Sequence, residues 1–116
     1  MDLDGKISLV TGAGQGIGEG IAKVLAAHGS KVMLVDLNGD AAKKVSDQIN
    51  FNIPDATVSF QADLTDEVSI SAMIEFAHEK FNRLDCICNN AAASKGIGAV
   101  ENYALEDVQA TLDLTF

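Results

Sequence analysis

Short apolar runs alternate with longer segments of helical period along residues 6–90, and this alternation constrains the fold more than any other feature of the sequence. Strands that alternate with helices in this way form a parallel sheet with helices on both faces. The sequence therefore predicts an α/β fold of the Rossmann type, a doubly wound parallel sheet of about four strands with flanking helices. The predicted strands are 6–11, 31–37, 56–63 and 83–90, and the predicted helices are 16–29, 39–50 and 66–81.

A glycine-rich stretch, "VTGAGQGIG" at residues 10–18, joins the first predicted strand to the first predicted helix. Free backbone N–H groups and the positive end of the helix dipole meet at such a turn, so it can bind an anion. The strict pattern G-x-G-x-x-G does not fit, because Ile17 follows Gly12 and Gly14 at the third glycine position. The spacing that fits is Thr11-Gly12-x-x-x-Gly16-Ile17-Gly18. It serves the same purposes, which are a tight turn, close approach of a pyrophosphate and close packing of helix on strand.

The apolar positions of the first helix predict the face that packs on the sheet. Ile17, Ile21, Val24 and Leu25 lie on one stripe, and Gly29 is predicted to stop the helix. The third helix carries its own apolar positions, among them Val68, Ala72, Ile74 and Phe76.

Asp36 ends the second predicted strand, 18 residues after Gly18. A carboxylate there can accept hydrogen bonds from both hydroxyls of an adenosine ribose and repel a 2′-phosphate. The alternative is a solvated aspartate that caps the next turn. A site for NADP needs a nearby cation, but the candidate positions hold Gln15 and Leu37, and Lys31 lies at the far end of the strand. The charge pattern predicts NAD as the cofactor.

Length and charge exclude several other classes of protein. A chain of 116 residues is predicted to form one domain, and its net charge of −9, with no cluster of lysine or arginine, disfavours nucleic acid and anionic membranes as partners. The apolar runs fall far short of the roughly 20 residues that a membrane span needs. The N-terminal residues are acidic where a signal peptide is basic. We therefore expect a soluble, cytoplasmic protein.

Neither cysteine nor histidine points to a metal site. Cys86 and Cys88 lie two residues apart on a predicted strand, which places both side chains on one face in poor geometry for a disulfide. They are predicted to be buried core thiols, and no further cysteine or suitably spaced histidine pair completes a zinc site. His28 and His78 are predicted to be structural, with His28 near a helix C-terminus.

Four motifs, taken in order, resemble the cofactor-binding N-terminal half of the classical short-chain dehydrogenases/reductases. They are the glycine motif at 11–18, Asp36, Asp63-Leu64 after the third strand, and 89–92 ("NNAA") after the fourth. Ala92 departs from the family, which usually has glycine there. The resemblance implies that residues 1–116 are the NAD-binding part of a single-domain enzyme and that the C-terminal catalytic part is absent.

The resemblance also implies a role for each motif. Backbone groups of 12–17 hold the pyrophosphate, Asp36 the adenosine ribose, Asp63 the adenine amino group, and Asn90 the ribose next to the nicotinamide. From the residues alone, Asp63 could equally start the turn before a helix, and the asparagines could satisfy backbone groups at a strand end. The cofactor-binding residues so predicted are Gly12, Gly14, Gln15, Gly16, Ile17, Gly18, Asp36, Leu37, Asp63, Leu64, Asn90 and Ala91.

No catalytic residue is predicted in this sequence. The family uses a Tyr-x-x-x-Lys pair, but the only tyrosine here is Tyr103, and Asp107 stands four residues later, where an anion cannot lower the pKa of a phenol. The position of the family's catalytic asparagine falls on Thr115 or, after a shift of two residues, on Asp113. We therefore expect weak NAD binding and no turnover from residues 1–116 alone.

Two functions follow from the resemblance. The first is an NAD-dependent oxidoreductase that transfers hydride between the nicotinamide and an alcohol or ketone substrate, with this chain as its cofactor-binding half and a dimer or tetramer as its assembly. The second is a stand-alone, non-catalytic NAD-binding module. The loop at 93–102 is expected near the substrate, whose identity the sequence does not reveal.

Overall fold

A computed structural model describes residues 2–90, which form strands and helices in strict alternation. The predicted order of elements is confirmed. Along these residues, no helix is both long and apolar enough to cross a membrane. The elements are β1 (Ile7–Thr11), α1 (Gly16–Ala27), β2 (Lys31–Asp36), α2 (Gly39–Asn52), β3 (Thr57–Gln61), α3 (Glu67–Phe81) and β4 (Cys86–Cys88).

The strands form one parallel sheet in the order β3-β2-β1-β4, which confirms the predicted doubly wound fold. The chain moves outward from β1 through β2 to β3 and then returns across the sheet to β4. Crossovers of one hand that run in opposite directions place their helices on opposite faces. This explains why α1 and α2 share one face of the sheet and α3 covers the other.

Two apolar cores result, one on each face of the sheet. On β2, Val32 and Leu34 contact α1 and α2, whereas Met33 and Val35 contact α3. All four side chains are fully buried, as expected for the central part of a parallel sheet that is covered on both sides.

The predicted contact face of helix α1 is correct for Ile21 and Leu25, which are partly buried against the core, but wrong for Ile17 and Val24. Its buried residues are Gly18, Ala22 and Ala26, whereas Ile17 and Val24 are 74% and 58% exposed. The reason is steric, because a Cβ on Gly18 would lie 2.0 Å from the main-chain oxygen of Gly12. The helix approaches β1 so closely that only small side chains fit between them, and the larger apolar residues are displaced to the flanks.

Other local predictions also need correction. In α3, Ile74 is buried, but Val68 is 77% exposed and Ala72 is also on the surface. Cys86 and Cys88 are free thiols that are partly and not fully buried, and Cys88 packs against the core beneath α1 and α2.

The histidines lie at helix ends. His28 caps the C-terminus of α1 through its main-chain N–H, which donates to the carbonyls of Val24 and Leu25. His78 lies in the last turn of α3, where its carbonyl accepts a hydrogen bond from Asn82. Both positions agree with a structural role.

Candidate functional site

A cleft of about 730 Å³ opens at the carboxyl edge of the sheet, where all the strands end. In doubly wound sheets ligands bind in this crevice, near the point at which the strand order reverses, here between β1 and β4. The residues that line it come from the ends of β1, β2 and β3, from the start of α1 and from the segment after β4: Gly12, Gln15, Gly16, Ile17, Val35, Asp36, Leu37, Ala62, Asp63, Leu64, Thr65 and Asn90.

The glycine loop forms one wall of the cleft. Gly12 has a φ of 63°, a left-handed conformation that favours glycine. The N–H of Ala13 donates to the carbonyl of Val35 at 3.1 Å, which ties the loop to β2. Gly18 lets α1 approach the loop so closely that a Cβ at this position would lie 2.0 Å from the carbonyl oxygen of Gly12. These features set the N-terminus of α1 directly at the cleft.

The N-terminus of α1 has no side-chain cap. Gln15 occupies the N-cap position in an extended conformation, but its side chain accepts no hydrogen bond from the first turn. By contrast, Asn38 caps α2 and Asp66 caps α3. Uncapped N–H groups together with the helix dipole attract an anion. The cleft therefore has an anion-binding wall built from backbone alone.

Asp36 bridges the glycine loop and the turn that leads into α2. Its Oδ2 accepts a hydrogen bond from the N–H of Gly14 at 2.8 Å, and its Oδ1 accepts one from the N–H of Asn38 at 2.9 Å. The bond to Asn38 is the turn-capping role that the sequence left open as an alternative. Because each carboxylate oxygen has further lone pairs, both oxygens can still accept hydrogen bonds from a ligand.

The bond between Gly14 and Asp36 is not predictable from the glycine spacing. It joins residues 22 positions apart, and it depends on how closely the loop approaches β2. A Cβ on Gly14 would lie 2.7 Å from the Cβ of Ala41 and 2.9 Å from Oδ2 of Asp36. Gly14 therefore supports the wall of the cleft from behind and does not line it.

Asp63 stands on the β3 side of the cleft and also starts the turn before α3. Its Oδ1 accepts hydrogen bonds from the hydroxyl of Thr65 at 2.6 Å and from the N–H of Thr65 at 3.0 Å. These bonds lower the pKa of the Asp63 carboxyl. Its other oxygen, Oδ2, makes none of the hydrogen bonds found among residues 2–90. The side chain is therefore ionised at neutral pH and has an acceptor to offer a ligand.

Asn90 follows β4 and is fixed to the first strand. Its N–H donates to the hydroxyl oxygen of Thr11 at 2.8 Å, and its side-chain amide donates to the carbonyl of Gly12 at 3.4 Å. The Thr11 hydroxyl in turn donates to the carbonyl of Cys88 at 3.3 Å. Next to it, Oδ1 of Asn89 is buried and accepts no hydrogen bond within the described part of the chain. Asn90 thus does satisfy a backbone group at a strand end, as the alternative interpretation expected, whereas Oδ1 of Asn89 does not.

The structure brings most of the predicted cofactor-binding residues into this one cleft. Gly14 and Gly18 lie behind its wall, and Ala91 falls outside the described residues, as do Ala92, Tyr103, Asp107, Asp113 and Thr115. Three lining residues were not predicted. The Asp-x-Thr sequence could have indicated Thr65, whereas Val35 and Ala62 carry no signal beyond their place at the ends of strands.

The charges at the cleft are all negative. Asp36 and Asp63 contribute carboxylates, and no lysine or arginine stands among the lining residues that the structure describes.

A second concavity, of about 700 Å³, runs along the outer face of α2. Within residues 2–90 it is lined by that single helix, from Asp40 to Asn52, so no other element supplies converging groups. The cleft at the sheet edge is the better candidate site.

A parallel sheet wound in both directions, with a glycine loop after its first strand and a carboxylate at the end of its second, defines the Rossmann type of α/β protein. The family model described as short chain dehydrogenase matches residues 6–116. The chain belongs to this family.

Individual relatives agree with the assignment. The chain is 40% identical over 89 residues to 7alpha-hydroxysteroid dehydrogenase from Escherichia coli, a match that covers 77% of this chain and 34% of the relative. It is 46% identical over 90 residues to versicolorin reductase from Emericella nidulans, again with 77% and 34% covered. The chain thus spans about a third of the length of these relatives.

A solved structure supports the fold. The 3-ketoacyl-(acyl-carrier-protein) reductase from Brucella melitensis, crystallised in complex with NADH, superimposes with a TM-score of 0.78 at 29% identity. The match covers 89% of this chain and 50% of the reductase.

Proposed function

We propose that this chain is the cofactor-binding half of an NAD-dependent oxidoreductase that interconverts an alcohol and a ketone. The observation that carries the proposal is the pairing of an uncapped helix N-terminus with Asp36 across one cleft that has no described cation in its lining. The first feature suits a pyrophosphate, and the second suits a ribose with free hydroxyls but not one with a 2′-phosphate.

Each part of the cofactor has a candidate partner in the cleft. The backbone from Gly12 to Ile17 would hold the pyrophosphate, and Asp36 the hydroxyls of the adenosine ribose. Asp63 and Leu64 would meet the adenine, and Asn90 the ribose beside the nicotinamide. The fit rests on the cradle itself, because a Cβ at position 18 would collide with the loop that the pyrophosphate must approach. When bound, the nicotinamide accepts or donates a hydride.

In this proposal the residues of the chain bind and orient the cofactor and move no proton. Asn90 would fix the nicotinamide end through its own anchors on Thr11 and Gly12. We propose that a longer reading frame supplies a serine and a Tyr-x-x-x-Lys pair for proton transfer, which is typically worth about 10²- to 10⁴-fold in rate.

The named relatives, a hydroxysteroid dehydrogenase and a ketoacyl reductase, favour an alcohol or ketone as the substrate. The cytoplasmic location and the assembly as a dimer or tetramer stay predictions.

Calorimetric titration with NAD and with NADP tests the proposal. We expect NAD to bind at least about tenfold more tightly, a difference of about 1.4 kcal/mol. Asp36→Ala should narrow that difference. Asp40→Ala is the matched control, since it removes an exposed carboxylate from the first turn of α2 that does not line the cleft. Equal affinities, or a preference for NADP in the unmodified protein, would contradict the proposal.

A further inference from the structure

Gly14 is required by its surroundings and not by its backbone conformation. The φ angles of Gly12 and Gly16 are 63° and 61°, in the left-handed region, whereas that of Gly14 lies outside this region. Alanine is therefore not excluded by the backbone conformation at position 14. What excludes a side chain there is the space around it, which Ala41 and Asp36 fill.

A Cβ at position 14 would press on one fixed neighbour and on one that can move. It would lie 2.7 Å from the Cβ of Ala41 and 2.9 Å from Oδ2 of Asp36. Ala41 is held in the first turn of α2, where its N–H donates to Oδ1 of Asn38 at 3.0 Å. The carboxylate of Asp36 ends a side chain with two rotatable bonds, so it is the group that gives way.

The Asp36 carboxylate is held from two sides before any ligand binds. The N–H of Gly14 donates to Oδ2 at 2.8 Å, and the N–H of Asn38 donates to Oδ1 at 2.9 Å. Because one donor reaches each oxygen, the carboxylate cannot rotate without breaking one of these bonds. An acceptor that is already fixed does not have to be ordered when a ligand binds, which favours affinity.

We propose that Gly14 is a positioning residue for the choice between NAD and NADP. Its N–H, together with the absence of a side chain, holds the carboxylate of Asp36 in the orientation that receives the hydroxyls of the adenosine ribose. This inference rests on the proposed function. The glycine loop has an anchor of its own, the bond from the N–H of Ala13 to the carbonyl of Val35 at 3.1 Å. A side chain at position 14 should therefore displace the carboxylate more than the loop.

Calorimetric titration of Gly14→Ala with NAD and with NADP tests the inference, and the readout is the ratio of the two affinities. We expect the preference for NAD to fall about fivefold, because Asp36 keeps its charge but loses one of the two hydrogen bonds that fix it. Damage to the loop alone would weaken both cofactors equally and leave the ratio unchanged. The matched control is Gly20→Ala, whose Cβ meets nothing within 4 Å. It should leave the ratio as it is in the unmodified chain.

A double variant keeps the test available if Gly14→Ala alone does not fold. Combining Gly14→Ala with Ala41→Gly removes the 2.7 Å contact but retains the 2.9 Å contact with Asp36, so the reduced preference should persist. Circular dichroism shows which variants are folded. NMR of the unmodified chain tests the contact without any cofactor, through scalar coupling across the hydrogen bond between the amide nitrogen of Gly14 and the carboxyl carbon of Asp36.

The possible results separate this inference from the proposed function. An undiminished preference for NAD in either folded variant, or the absence of the coupling, would overturn the inference and leave the proposed function intact. Equal affinities for the two cofactors in the unmodified chain would contradict the proposed function and, with it, the inference.

Discussion

Helices α1 and α2 begin at the same edge of the sheet, yet their N-termini are built differently. Asn38 closes the first turn of α2, where its Oδ1 accepts a hydrogen bond from the N–H of Ala41 at 3.0 Å. Gln15 stands at the same position of α1 and closes nothing. A helix end that lacks its own cap is available to a ligand, so the comparison shows which of the two N-termini can bind an anion.

The two helices also meet the sheet differently. Helix α2 buries Val45 and Ile49, and a polar network fixes it to β3, in which the hydroxyls of Ser46 and Thr57 lie 2.6 Å apart and Asn50 exchanges hydrogen bonds with the backbone of Thr57. The fully buried residues of helix α1 are all small, and its larger residues Ile21 and Leu25 are only partly buried. Helix α2 is held by its side chains, whereas α1 is held by close backbone contact that also positions the glycine loop.

The largest expected effect is on the close contact of α1. Gly18→Ala places a Cβ 2.0 Å from the carbonyl oxygen of Gly12. To relieve this clash, the helix and the glycine loop must move apart. We therefore expect the free energy of unfolding to fall by about 3 kcal/mol. Gly20→Ala on the same helix meets nothing within 4 Å and should raise stability by up to about 1 kcal/mol. Urea denaturation measures both. Similar effects from the two substitutions would show that α1 does not depend on this contact.

The next effect concerns the carboxylate shared by the two helix starts. In Asp36→Asn the side-chain NH₂ must face one of two N–H donors, Gly14 or Asn38, so we expect a loss of about 2 kcal/mol even without a ligand. The control is Asp47→Asn, which removes one partner of an exposed ion pair with Lys43 and should cost less than about 0.5 kcal/mol. Equal losses in urea denaturation would mean that Asp36 serves only a ligand and not the fold.

Substitutions at the N-cap positions of α1 and α2 test the difference between the two helix ends. Asn38→Ala should lower the unfolding free energy by about 1 kcal/mol and change NAD affinity by no more than about twofold. Gln15→Asp should do the opposite, raising stability by about 0.5–1 kcal/mol while its charge weakens NAD binding about tenfold. Gln15→Asn separates capping from charge and should retain more of the affinity. Tighter NAD binding to the Gln15→Asp variant would rule out a pyrophosphate at this helix end.

The smallest effect is at Asp63, on the far side of the cleft. Thr65→Val removes the hydroxyl donor, so the pKa of Asp63 should rise toward its ordinary value of 3.8. The pKa of Asp63 is lower in the folded protein than in the unfolded chain. The stabilisation of the fold by the ionised Asp63 is therefore complete above about pH 4, and it is lost as pH falls through the folded-state pKa. Carbon-detected NMR titration of the carboxyl group measures the shift. An unchanged pKa would show that the N–H of Thr65 alone accounts for it.

Much of this architecture is predictable, because apolar runs and helical periods report where chain segments become buried. The order of elements, the parallel sheet and the position of the glycine loop follow from them. The close contact between α1 and the glycine loop does not. Hydrophobicity favours Ile17 and Val24, whereas the contact selects Gly18 for its size. The pattern of apolar residues predicts which side chains become buried. It does not predict how closely two backbone segments approach each other.

The length of β4 and the double role of Asp36 could not be predicted from the sequence for a related reason. Residues 83–90 read as one strand, but Asp85 accepts a hydrogen bond from the N–H of Ile7, and the N–H of Asn90 donates to the Thr11 hydroxyl. Side-chain bonds thus take part at both ends, although the N–H of Asp85 still donates to the carbonyl of Ile7, and the strand itself is limited to Cys86–Cys88. Such bonds, like the one between Asp36 and Gly14, arise only when distant segments meet.

The most direct test of the central claim is the amide NMR spectrum of the chain titrated with NAD. If the dinucleotide binds at the uncapped end of α1, the largest shifts will fall on Gly12, Gly16 and Ile17 and on Asp36. The amides of Ser46 to Asn52 in the last turns of α2 will stay in place. Shifts centred on the outer face of α2, or no shifts at millimolar NAD, would contradict the assignment of the anion site to α1.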